Sequence, residues 1–89
     1  MKPLGSNREL YDYLVRLAMV LRSRGCSGLG DIVSLASRNA VDMNTVFLGE
    51  SRIALRQVLQ EENGVLTDEE RAQLVGILAQ LDDALSSHH

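Results

Sequence analysis

FLGESRIALRQVL, residues 47–59, decides how the chain is read. Phe47, Ala54, Leu55, Val58 and Leu59 fall at helical spacing. Gly49-Glu50, near its start, sets a poor helix former beside a charge. A glycine that broke the helix would force the apolar pattern to restart after it. It does not restart: Met43, Val46 and Phe47 run in phase with the residues beyond Gly49. The stretch therefore belongs to one helix of about residues 43–62, with Asp42 as its cap and Asn63-Gly64 as its end. An interior glycine costs about 1 kcal/mol relative to alanine. That cost is tolerable where another backbone passes close, so Gly49 is expected to be a packing position.

Working outward, the flanking segments read as helices too. Thr67-Asp68-Glu69-Glu70 is a capping box, with Thr67 as cap and three acids on the positive end of the helix dipole. Leu74, Leu78, Leu81 and Leu85 follow at steps of four, three and four, giving a helix over about 68–86. Toward the N-terminus, Ser6 and Glu9 form a weaker capping box ahead of Leu10, Leu14, Leu17 and Leu21, which Tyr13 and Val20 widen. Arg22-Ser23-Arg24 and then Gly25 make a basic last turn and a C-cap, so this helix spans about 7–24. Leu29, Ile32, Val33 and Ala36 give a short helix over about 29–38, with Ser27 or Asp31 as cap and Asn39 as terminator. No segment alternates strictly, so no strand is predicted. The fold class is all-α: a small four-helix bundle with short loops and antiparallel neighbours. Residues 1–86 form a single domain. Residues 87–89 are a short tail, native or left by an affinity tag.

Composition agrees with helices. With Tyr11, Tyr13 and Phe47 as the aromatic residues, the core rests on Leu, Val, Ile, Ala and Met. A chain of 89 residues buries only about 60–65% of its unfolded surface, so that core is thin. Net charge is −3, unevenly spread: residues 1–30 carry +3, residues 31–60 balance, and residues 61–89 carry −6. Cys26 is the single cysteine and has no internal partner, which fits a reducing cytoplasm. No apolar run approaches the length of a membrane span and no signal-peptide pattern is visible, so a cytoplasmic location is expected.

Enzymatic signals are missing. The chain has no Gly-rich phosphate loop, no metal-ligand spacing and no Ser/His/Asp set. His88 and His89 sit at the extreme end and are not read as a metal site. The reading is a non-enzyme with no cofactor and no metal. A DNA-binding reading has one pattern behind it. Leu35-Ala36, Ala40-Val41-Asp42 and Thr45-Val46 resemble the spacing of bacterial helix-turn-helix repressors, with Val46 packing back on Ala36. The reading helix, about residues 43–50, carries no Lys or Arg and includes Glu50. Arg38, Arg52 and Arg56 offer few phosphate contacts on an acidic chain, which weighs against nucleic acid.

A second resemblance covers about residues 46–81. Gly49-Glu50, Ala54-Leu55, Leu59, Leu66-Thr67, Glu70, Leu74 and Leu78 resemble the C-terminal half of MafI-like immunity proteins of bacterial polymorphic toxin systems. The resemblance implies a toxin-neutralising protein in which Gly49 is a close-packing position and Glu50 a polar group near the turn. Toxins that act on nucleic acid present basic sites, and an acidic inhibitor surface suits them. Here the densest acidic surface runs from Glu61 to Glu70, so Glu61, Glu62, Glu69 and Glu70 are the expected partner-binding residues. Glu61 and Glu62 lie outside any cap. The leading reading is a protein-binding helical domain whose partner is another protein, a bacterial toxin in its specific version. The alternative is a helical adaptor or homodimerising regulator.

Overall fold

The computed structural model describes residues 7–38 and 44–86. They form four helices: α1 (Asn7–Ser23), α2 (Ser27–Ser37), α3 (Asn44–Glu61) and α4 (Asp68–Ser86), with no strand among them. The all-α reading holds, and each helix lies within two residues of its expected start and one of its expected end. Ser6, Asn39 and Asp42, expected as caps or terminators, lie outside the described residues.

Gly25 ends α1 as expected, at φ +88. The Cys26 amide donates to the Leu21 carbonyl at 2.8 Å and the Gly25 amide to Arg22 at 3.2 Å, which closes a Schellman turn. The chain re-enters a helix at once. Cys26 occupies the N-cap of α2 without a side-chain bond, and its carbonyl accepts the Gly30 amide at 3.0 Å. Neither Ser27 nor Asp31 caps this helix: Ser27 is already its first residue, and Asp31 accepts instead from Arg22 of α1 at 2.9 Å.

The core joins all four helices. Leu10, Leu14 and Leu21 of α1, Val33 of α2, Phe47, Leu55 and Val58 of α3, and Leu74 and Leu81 of α4 are almost wholly shielded from water. Leu66, in the loop before α4, closes the same cluster. These are the residues of the helical stripes, and Phe47 fills the role that scarce aromatics leave to it.

α3 runs unbroken through Gly49, as its phase requires. The expected packing reason is not there. A Cβ built on Gly49 meets no atom within 4 Å. Another glycine holds that role. At Gly30 a Cβ would lie 2.8 Å from Cγ of Arg22 and 3.0 Å from the carbonyl oxygen of Ala18. The tight crossing is therefore between α1 and α2. Val46, expected to pack back on Ala36, is 47% exposed.

Candidate functional site

The expected acidic surface divides in two. Glu62 follows the last residue of α3, where Asn63 (φ +49) and Gly64 (φ +83) turn the chain in the left-handed region. This reversal leaves amides without helical partners, and the Glu62 carboxylate takes them. Its Oε1 accepts from the Gly64 amide at 2.7 Å and the Leu66 amide at 3.2 Å. Its Oε2 accepts from Nε of Arg71 at 2.8 Å. Only 3% of Glu62 is exposed. The hydrogen bond from Arg71 outweighs burial, and with the two amides it holds this carboxyl below the ordinary carboxylate range. The reading of Glu62 as a surface residue outside any cap is thus corrected: it organises the α3–α4 turn.

Glu70 is also engaged. The capping box forms as expected, with the Thr67 amide donating to Oε1 of Glu70 at 2.8 Å and the Glu70 amide to Oγ1 of Thr67 at 3.1 Å. Arg24, at the end of α1, then closes on the same carboxylate through two nitrogens, at 2.5 and 3.1 Å, and donates to the Val65 carbonyl at 3.0 Å. The Arg24 pair first, and the Thr67 amide second, hold the Glu70 carboxyl down to about 2. The corner charges are thereby paired within the chain. Glu61 and Glu69 stand exposed, with no ion pair among the described residues.

Glu61 belongs to a different surface from its neighbour. Val46, Glu50, Ile53, Gln57 and Glu61 follow one another at steps of four, three, four and four, which places them along one face of α3. Ile53 is 60% exposed, Glu50 and Glu61 are exposed, and neither carboxylate is in an ion pair among the described residues. Beside this face, Leu35 of α2 is 57% exposed, and Ile32, Leu35 and Ala36 line a shallow groove with Glu50, Ile53 and Ala54. The basic residues of α3 are drawn to its other flank. Arg52 and Arg56 both donate to Oδ1 of Asp82 on α4, at 3.4 and 3.0 Å. The outer face is left with apolar groups and two free negative charges. Helical periodicity shows this face, but the expected position of Glu50 as a turn group concealed it.

Among the described residues, no group of three or more His, Cys, Asp or Glu side chains is placed to hold a metal ion. No helix among them is long and apolar enough to cross a membrane. No family model, curated protein or solved structure matches the chain.

Proposed function

We propose that this chain is a protein-binding helical domain that docks a basic partner on the outer face of α3. The reading rests on the union of exposed apolar groups with unpaired carboxylates along Val46, Glu50, Ile53 and Glu61. An apolar centre supplies contact area, and uncompensated charge of one sign steers encounter and rejects wrong partners. Neutralisation of a bacterial toxin is the specific form, because a nucleic-acid-directed toxin has a basic site for this face to cover. In that form Glu61 keeps its expected role, Glu69 lies off this face at the start of α4, and Glu62 and Glu70 support the fold.

The test uses the intact chain and a candidate toxin, sought first among the products of neighbouring genes. Wild-type protein is expected to relieve the toxin's arrest of growth on co-expression and to bind it in solution. Ile53→Ser should weaken both while leaving the helical circular dichroism unchanged. A toxin bound as tightly by Ile53→Ser as by wild type would remove the site from α3. Association of the chain only with itself, lost in Ile53→Ser, would instead assign this face to a homodimer.

A further inference from the structure

The shallow groove between α2 and α3 has a volume of about 200 Å³ and borders the face proposed above for docking. Its floor is small and its walls are tall. Ala36 and Ala54 are buried, while Leu35 and Ile53 are each more than half exposed, and Ile32 stands beside them. Large apolar side chains left in water on either side of small buried ones make room for an apolar side chain from outside. Of the lining residues Glu50 alone is charged, and it holds no ion pair among the described residues.

The groove also has a direction. Glu61 lies eleven residues after Glu50 on α3, which is about three turns and about 16 Å of rise. Eleven steps of about 100° bring it back to within about 20° of Glu50. Both carboxylates therefore stand on one line along the helix. A partner that answers both charges needs two cations at that distance, on the side that carries its apolar groups. A helix supplies them from positions eleven residues apart. An extended strand covers the same distance in about five residues, and side chains five apart point to opposite faces. We propose that the occupant of this groove is a basic amphipathic helix of the partner. Its apolar side chains seat between Leu35 and Ile53, and a cation meets each of Glu50 and Glu61. This rests on the outer face of α3 being the docking surface, and it adds α2 as the second wall of the site.

The probe is a capped synthetic helix of about 18 residues, with two lysines eleven positions apart and leucines between them on the same face. Titrated into the intact protein, it should give saturable NMR shifts at the Leu35 and Ile53 methyl groups. Leu35→Ser and Ile53→Ser should each weaken it roughly tenfold. Both side chains are exposed, so the helical circular dichroism of the two variants should match wild type. The same peptide with glutamate in place of lysine, or with a proline at its centre, should bind at least roughly tenfold more weakly. Equal binding of the proline peptide would mean that the occupant is not a helix, and equal binding of the glutamate peptide that its charge has no part. Either result overturns the proposal, as does an absence of saturable shifts with the lysine peptide. The candidate toxin separates the proposal from the docking face it rests on. Binding weakened by both Leu35→Ser and Ile53→Ser supports the groove. Binding weakened by Ile53→Ser alone keeps the α3 face and overturns the helix in the groove, and binding weakened by neither removes both.

Discussion

At the corner between α3 and α4, Glu62 and Glu70 each hold an arginine and at least one backbone amide. Along the outer face of α3, Glu50 and Glu61 hold neither among the described residues. Glu61 and Glu62 are neighbours in sequence, yet one is exposed and the other 3% exposed. A single step along a helix rotates a side chain by about 100°. Here that step separates a carboxylate that folds the chain from one left for another molecule. Density of charge in the sequence therefore marks two unlike regions, and only the direction of each side chain tells them apart.

The strongest way to break this contrast is to remove Glu62. Glu62→Ala leaves the Gly64 and Leu66 amides and the Arg71 guanidinium without their acceptor. The loss is expected to be about 2–4 kcal/mol in urea unfolding. Glu61→Ala, one residue away, should leave the unfolding midpoint unchanged. Equal behaviour of the two variants would abolish the distinction between corner and face.

Acid probes the same corner. Glu62 and Glu70 both have folded values below their unfolded ones, with Glu70 at about 2. Stability from a depressed carboxyl is fully present above its unfolded value and is lost as pH falls through the folded one. Thermal midpoints should therefore fall between about pH 4.5 and pH 2, and Glu70→Gln should flatten part of that slope. A wild-type midpoint constant across this range would contradict the paired state of the corner.

Gly30 and Gly49, both inside helices, extend the contrast from charge to packing. Gly30→Ala drives a methyl against Arg22 and the Ala18 carbonyl and should destabilise by about 1–3 kcal/mol. Gly49→Ala meets open space and should stabilise by up to about 1 kcal/mol through helix propensity. Thermal melts of the two variants should thus move in opposite directions. A destabilised Gly49→Ala would restore the packing role that the sequence pattern assigns to it.

These residues also show what was legible beforehand. Apolar spacing located all four helices because burial of a stripe is what makes each helix stable. The Thr67–Glu70 box and Gly25 were readable because capping is local: partner and donor lie within a few residues. Gly30 was not readable, because its reason lies across the chain at Ala18 and Arg22, and spacing within α2 carries no trace of it. Glu62 was misplaced for the same kind of reason. Its amide partners follow it closely, but they become partners only once Asn63 and Gly64 adopt positive φ. The outer face of α3 was half legible: its periodicity is plain in the sequence, while the removal of Arg52 and Arg56 to Asp82 depends on the fold.

The smallest effect on stability, and the sharpest on function, is expected on that face. Glu50→Lys with Glu61→Lys exchanges two exposed charges that hold no partner within the described residues. The melting temperature should therefore stay close to wild type, since exposed charges contribute little to folding. Association with a basic partner should slow, because steering charges act mainly on the rate of encounter. The salt dependence of that rate should weaken as well, because screening acts on the charges that were removed. Glu69→Lys, set against each α3 variant taken singly, provides the comparison: every one of these substitutions replaces one negative charge by one positive charge, and Glu69 lies at the start of α4, off the strip. Rates measured at two ionic strengths separate the alternatives. If the single α3 variants slow association and Glu69→Lys does not, charge acts through its position on this face. If Glu69→Lys slows association and the single α3 variants leave it unchanged, the partner approaches the start of α4, and the unpaired charges of α3 have no part in recognition.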